Sequence, residues 1–71
     1  MSLQPFNRLV SQRKGLGLSV AKVAKYVGVS RESIYNWEKG KSIPDVKYLN
    51  KLSEILQIEI GILVTYFANR S

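Results

Sequence analysis

The stretch LSVAKVAKYVGVSRESIYNWEKG, residues 18–40, decides the fold because it encodes two short helices with a very tight turn between them. Ser19 is a favourable N-cap for the first helix, and Gly28 ends that helix. Four small apolar side chains between them share one helical face: Val20, Val23, Ala24 and Val27. Ser30 is the N-cap of the second helix, which stops at Gly40. Two helices connected in this way form a helix-turn-helix.

Further helices are predicted on both sides of this motif. A first helix over about residues 4–14 ends at a Gly-Leu-Gly sequence and buries Phe6, Leu9 and Val10. After a loop at residues 42–44, Asp45 is expected to cap a fourth helix. The apolar stripe of that helix consists of Tyr48, Leu49, Leu52, Ile55 and Leu56.

The C-terminal segment, residues 58–67, has two interpretations. One set of apolar residues fits a helical face: Ile60, Leu63, Val64 and Phe67. Another set alternates as in a strand, which β-branching and an internal glycine also favour: Ile58, Ile60, Ile62, Val64 and Tyr66. We predict an all-α bundle of about five short helices, with a β-strand as the alternative for this segment. Residues 1–71 are predicted to form one helix-turn-helix domain.

The composition excludes most enzyme chemistry. His and Cys are both absent from the 71 residues, so the usual general base, a thiol nucleophile and a thiolate metal site are all missing. We therefore expect no enzyme, no metal site, no cofactor and no small-molecule ligand.

The longest apolar run has about five residues, well short of the ~18 that a membrane span needs, so a cytoplasmic protein without a membrane partner is predicted.

The positive charge is concentrated on the part of the chain that holds the motif. The net charge is +6, from 11 Lys and Arg against 5 Asp and Glu. Residues 1–42 carry eight of the bases but only two of the acids, whereas residues 43–71 carry three of each. Anionic partners are therefore favoured near the motif.

The second helix of the motif presents a polar outer surface. At about 100° per residue, with Ile34 facing the core, Glu32, Asn36 and Lys39 point away from the core and Ser33 lies on a flank. Arg31 lies nearer the core side, but it is in the first turn, where a long side chain can reach past the end of the helix. The outward surface therefore consists of Arg31, Glu32, Ser33, Asn36 and Lys39. Arg can pair with guanine, Asn with adenine and Glu with cytosine in the major groove. Because Glu32 would repel phosphates, its presence favours base reading over simple charge attraction. The alternative is that this is the polar face of an ordinary surface helix.

These residues resemble the phage Cro and repressor type (XRE-type) of helix-turn-helix DNA-binding proteins. The matching residues are Leu18-Ser19, Val23-Ala24, Val27-Gly28-Val29-Ser30-Arg31, Ser33-Ile34, Trp37-Glu38-Lys39-Gly40 and Pro44. The resemblance covers about residues 7–63. It implies a five-helix domain whose motif spans about residues 19–39 and whose third helix lies in the major groove of double-stranded DNA.

The resemblance also implies roles for individual residues. The base-reading positions are Arg31, Glu32, Ser33 and Asn36. The positions that contact phosphates are Ser19, Val20, Lys39, Lys41 and Ser42. In similar proteins an Arg of the first helix forms a buried ion pair with a Glu of the third, which here implies Arg13 and Glu38; two independent surface charges are the alternative.

The sequence departs from the family pattern at two positions. Val20 stands where the family commonly has a phosphate-binding Gln, so only its backbone N–H is available and weaker binding is expected there. Gln12 stands where an apolar core residue is usual, which puts the register of the first helix in question.

The apolar C-terminal segment, within residues 58–71, is the candidate dimer interface. Its proposed interface residues are Ile58, Ile60, Ile62, Val64, Tyr66 and Phe67, and the alternative is that they complete the monomer core.

The hypothesis is a sequence-specific transcriptional regulator of a bacterial or phage-infected cell, associated with the nucleoid. It would act as a repressor, with a homodimer occluding a pseudo-palindromic operator. One alternative is an antitoxin or another protein-interaction module on the same scaffold. Another is a binder of RNA or anionic lipid through charge alone.

Overall fold

Five α-helices follow one another along the part of the chain that the computed structural model describes, residues 7–69 without the Asn7 side chain. They are α1 (Asn7–Gly15), α2 (Val20–Val27), α3 (Arg31–Lys39), α4 (Leu49–Leu56) and α5 (Ile60–Ala68), with a 3-10 turn at Val46–Tyr48. The all-α prediction is confirmed, and the C-terminal segment is a helix instead of the alternative strand. The predicted start of the first helix, with Phe6, lies outside the described residues.

Both helices of the motif begin at the predicted serine caps. Ser19 Oγ accepts a hydrogen bond of 3.0 Å from the N–H of Lys22, and Ser30 Oγ accepts one of 3.1 Å from the N–H of Ser33. Each bond satisfies an N–H group that the first turn of a helix leaves without an intrahelical acceptor. The two caps therefore define where α2 and α3 start.

The helices of the motif also end in the same way. Gly28 and Gly40 adopt left-handed backbone conformations, with φ of 90° and 80°. The next N–H in each case returns to the carbonyl five residues earlier, from Val29 to Ala24 at 3.0 Å and from Lys41 to Asn36 at 2.9 Å. This is the Schellman closure, which an L side chain adopts only with strain.

The fourth helix begins later than the sequence predicted. Asp45 Oδ1 does accept a hydrogen bond of 3.1 Å from the N–H of Lys47, but the segment that it caps is the 3-10 turn. The N–H of Tyr48 bonds to the carbonyl of Asp45 at 2.9 Å, which is the shorter spacing of a 3-10 turn. The α-helical hydrogen bonding of α4 therefore starts at Leu49.

The core lies between α2, α3 and α4 and is closed by α1 and α5. α2 packs against α3 and α4, while α1 contacts α3 and α4, and α5 contacts α4. The Trp37 and Tyr48 rings lie 5.9 Å apart, centroid to centroid. The buried apolar residues are Leu9, Val20, Val23, Ala24, Val27, Ile34, Trp37, Leu49, Leu52, Leu56, Leu63 and Phe67. All four apolar residues predicted for the inner face of α2 belong to this set.

We expect Gly28→Ala to lower the free energy of unfolding by about 1–2 kcal/mol, since it forces an L side chain into the left-handed region. An added Cβ would meet no atom within 4 Å, so the cost arises from the backbone alone. Gly15→Ala is the matched control, because Gly15 also has open space but lies within α1. Urea unfolding of both variants measures the difference, and equal stabilities would contradict this reasoning.

Candidate nucleic-acid interface

A buried ion pair connects α1 to α3. Arg13 Nε lies 2.6 Å from Glu38 Oε2, and Arg13 Nη2 donates a second bond of 3.3 Å to Glu38 Oε1. The two side chains are only 10% and 8% exposed. The alternative of two independent surface charges is therefore wrong. Because Glu38 is buried in this pair, Glu32 is the acidic residue of α3 that remains on its outward surface.

The same guanidinium holds the segment that leads into α2. Arg13 Nη1 donates a 3.0 Å hydrogen bond to the carbonyl of Leu18, the residue before the Ser19 cap. The backbone carbonyl of Arg13 in turn accepts a 3.0 Å bond from the N–H of Leu18. Arg13 thus fixes the end of α1, the start of α2 and the orientation of α3 at one point.

The outward surface of α3 has the polar composition that the helical projection predicted. Ile34 and Trp37 are buried on the inner side. Arg31, Glu32 and Lys39 are exposed, and the two remaining predicted base-reading residues, Ser33 and Asn36, are partly exposed. The Ser33 hydroxyl lies 3.1 Å from Ser30 Oγ, so this residue is tied to the helix cap. The four predicted base-reading side chains are therefore brought together on one helix.

The predicted phosphate-contacting residues lie at the start of α2 and at the end of α3. Ser19, Lys41 and Ser42 are exposed, like Lys39. The Val20 side chain is buried in the core, 7% exposed, so this residue can offer only its backbone N–H to a ligand. That N–H lies in the first helical turn, where backbone donors lack an intrahelical acceptor.

Gln12 has a structural role that the sequence did not indicate. Its Nε2 donates a 2.8 Å hydrogen bond to the carbonyl of Leu56, the last residue of α4. Leu9 is buried and Arg13 is paired, so the register of α1 is as predicted. Where the family usually has an apolar core residue, this chain therefore has an amide that caps the Leu56 carbonyl at the end of α4.

Two exposed tyrosines were not assigned a role from the sequence. Tyr26 on α2 donates a 2.8 Å hydrogen bond to Glu54 Oε1 on α4, and this bond raises the pKa of Tyr26. Lys51 Nζ lies 5.2 Å from the centroid of the Tyr26 ring. Tyr35 is 46% exposed on α3, with Lys39 Nζ 5.9 Å from its ring centroid.

The candidate dimer-interface residues fall into two groups. Phe67 is 3% exposed and belongs to the monomer core, so its side chain has no surface left for a partner. Ile58 and Tyr66 pack partly against that core. Three side chains remain exposed, Ile60, Ile62 and Val64, at 39%, 48% and 48%. Ile60 and Val64 are one turn apart on the same side of α5, and we call these two the α5 patch. Ile62 lies on the other side of the helix, in the groove that Tyr66 and Arg8 also line.

Neither a metal-binding cluster nor a membrane-spanning helix is present in the part of the chain that the structure describes. Within residues 7–69, no three His, Cys, Asp or Glu side chains lie together so that they could hold a metal ion. None of the helices described is long and apolar enough to cross a membrane.

Comparison with known proteins places the motif in a family. The family model described as helix-turn-helix matches residues 9–63, which is most of the chain. The chain belongs to the XRE-type helix-turn-helix family. This helix-turn-helix chain is 37% identical over 57 residues to YonR, an HTH-type transcriptional regulator derived from the SPbeta prophage of Bacillus subtilis.

An archaeal HTH-type transcriptional regulatory protein, from Saccharolobus solfataricus, is 38% identical to the helix-turn-helix chain over 52 residues. The alignments cover 80% and 73% of this chain, but only 53% of YonR and 17% of the archaeal protein. The chain thus spans about half the length of YonR and less than a fifth of the length of the Saccharolobus protein. No solved structure gives a significant match.

Because Arg13 is buried with Glu38, Glu38→Ala should leave an uncompensated charge in the interior and lower the free energy of unfolding by about 3–5 kcal/mol. The double variant Arg13→Met/Glu38→Leu removes both charges and keeps similar volumes, so it should be clearly more stable than the single variant. Thermal unfolding followed by circular dichroism compares them. A loss below about 1 kcal/mol for Glu38→Ala, the range of a surface pair, would refute the buried-charge account.

Proposed function

We propose that this chain binds double-stranded DNA in a sequence-specific manner and regulates transcription. The observation that carries the proposal is the outward surface of α3, where Arg31, Glu32 and Asn36 are exposed or partly exposed on a helix held against α2. A helix with its side chains is about 10–12 Å wide, and the major groove is about 12 Å wide. A helix fixed in this way can enter the groove and bring its polar groups to the base edges.

The base-reading roles follow from the chemistry of the three exposed or partly exposed groups. The Arg31 guanidinium can donate two bonds to guanine O6 and N7, and the Asn36 amide can pair with adenine N6 and N7. Glu32 can accept from cytosine N4. Ser33 is assigned a base or phosphate contact that its hydroxyl can make while it remains near Ser30.

The phosphate contacts come from both ends of the motif. Ser19 and the Val20 N–H serve one strand of the backbone, and Lys39, Lys41 and Ser42 serve the other. The excess charge of residues 1–42 supports this arrangement, because each phosphate that is neutralised releases a counterion. The two HTH-type transcriptional regulators that the chain resembles support a regulatory role.

The finer part of the proposal is repression by a homodimer on a pseudo-palindromic operator. One recognition helix contacts few base pairs, so a two-fold dimer with half-sites ~34 Å apart gives the specificity that regulation needs. The α5 patch is the proposed contact, because it is apolar, uncharged and exposed. Occlusion of polymerase from the operator is the simplest consequence of such binding, and no catalytic role is included. The protein would then work in the cytoplasm, at the nucleoid.

Base reading by α3 is tested by the sequence preference of the unmodified chain and of its variants. Selection from a random duplex library at about 150 mM salt should yield sequences bound at least 10³-fold more tightly than random DNA. Asn36→Ala should relax the preference at one base pair and cost about 1–3 kcal/mol there. Lys41→Ala should instead weaken all duplexes alike and reduce the salt slope by about 0.9. A preference below about tenfold for the unmodified chain would contradict sequence-specific binding.

Assembly through the α5 patch is tested by the oligomeric state of the chain. Sedimentation over a concentration series, with and without the selected duplex, should show a dimer. Val64→Glu should shift it to monomer by placing a charge in the α5 patch. Asn50→Glu adds the same charge to an exposed site on α4 and is the matched control. A chain that remains monomeric and binds DNA singly would exclude the dimer. Association with an unrelated protein through the patch would favour the alternative of an antitoxin or another interaction module.

A further inference from the structure

We infer that Tyr35 is a further specificity-determining residue, whose ring contacts the C5-methyl group of a thymine at the edge of the bound half-site. This inference rests on the proposed function. It starts from a contrast between the two exposed tyrosines of the motif, Tyr26 and Tyr35, which are 44% and 46% exposed.

The exposure of Tyr26 has an explanation within the protein. Its hydroxyl is bonded to Glu54, and Lys51 lies over its ring, so the side chain connects α2 to α4. Tyr35 has no comparable partner among the residues that the structure describes, because its ring meets only the Lys39 ammonium at 5.9 Å and its hydroxyl has no hydrogen bond. The Tyr35 ring is therefore an exposed apolar surface on a helix whose other exposed side chains are polar, and it is accessible to a bound ligand.

The position of Tyr35 on α3 identifies the contact. Tyr35 follows the buried Ile34 by one residue, about 100° around the helix, and therefore lies on the flank between the core side and the outward surface. Arg31 precedes it by one turn and Lys39 follows it by one turn, on neighbouring positions of the same flank. The sugar–phosphate backbones form the walls of the major groove and the base edges form its floor, so a side chain on the flank of a bound helix lies between the two. A side chain as long as Tyr can reach from there to the outermost base edges of the site.

The chemistry of the ring then selects the base. The ring carbons form no hydrogen bond to a base edge, but they can cover the thymine methyl group, the apolar feature of the major groove. The Tyr35 hydroxyl could also bond to a base or a phosphate, and Tyr35→Phe separates its contribution from that of the ring. Lys39 over the ring restricts the positions that the ring samples and supplies charge for the adjacent phosphate. The Tyr35 ring and the Lys39 ammonium therefore act together at the edge of the groove, the ring on the base and the ammonium on the phosphate.

The test combines protein variants with DNA that lacks single methyl groups. Each thymine of the selected duplex is replaced in turn by deoxyuridine, and dissociation constants are measured for the full chain and for Tyr35→Ala. For the full chain, one replacement should weaken binding about fourfold, the value for burial of one methyl group. Tyr35→Ala should bind the thymine duplex several-fold more weakly and should no longer distinguish thymine from deoxyuridine at that position.

Three controls separate this contact from other effects. Tyr35→Phe should keep the methyl dependence, because the ring remains. Tyr26→Phe removes a hydroxyl from the other exposed tyrosine and should leave DNA affinity unchanged. Thermal unfolding of Tyr35→Ala should match that of the full chain, because the side chain lies outside the core.

The inference and the proposed function fail in different ways. An unmodified chain without sequence preference would overturn both. A clear preference that Tyr35→Ala retains, together with its full dependence on every thymine methyl, would overturn the role of Tyr35 alone. Equal loss of affinity for selected and random duplexes in Tyr35→Ala would also overturn it, since the contact would then be to the DNA backbone.

Discussion

The ion pair between Arg13 and Glu38 is the interaction on which the rest of the structure depends. It brings a cation from α1 and an anion from α3 into the interior, and the same guanidinium bonds to the Leu18 carbonyl before α2. A buried pair of this kind is not an efficient source of stability, because desolvation of both charges offsets much of their attraction. It is nevertheless a strict geometric constraint, since any displacement of α3 leaves two charges unsatisfied. The outward surface of α3 depends on that constraint for its orientation.

The sequence predicted the motif well because local chemistry determines it. Ser19, Ser30, Gly28 and Gly40 each satisfy backbone groups at a helix end, and such requirements act over a few residues. The inward position of Glu38 followed from the helical repeat, and its partner followed from the family resemblance. The start of α4 was predicted too early, because an Asp cap serves a 3-10 turn as well as an α-helix.

Other features depend on contacts between distant residues and were not predictable from one sequence. The role of Gln12 depends on the carbonyl of Leu56, 44 residues away. The division of the C-terminal apolar residues between core and surface depends on how α5 lies against α4, which placed Phe67 inside and left Ile62 outside. Tyr26 and Tyr35 are both exposed tyrosines in the motif. Only the structure shows that the Tyr26 hydroxyl is bonded to Glu54, whereas the Tyr35 hydroxyl has no hydrogen bond among the described residues.

The joint between α4 and α5 has a consequence for any association through α5. Gln57 closes α4 in a left-handed conformation with φ of 54°, although it is not a glycine. Ile58, the residue after Gln57, forms two hydrogen bonds with Ser53. The Ser53 hydroxyl donates a 2.5 Å bond to the Ile58 carbonyl, and the Ile58 N–H donates a 3.2 Å bond to the Ser53 carbonyl. The direction of α5 is therefore set within the monomer. The backbone that carries Ile60 and Val64 is therefore already ordered before a partner binds, so less conformational entropy is lost on contact and even a small patch can support association.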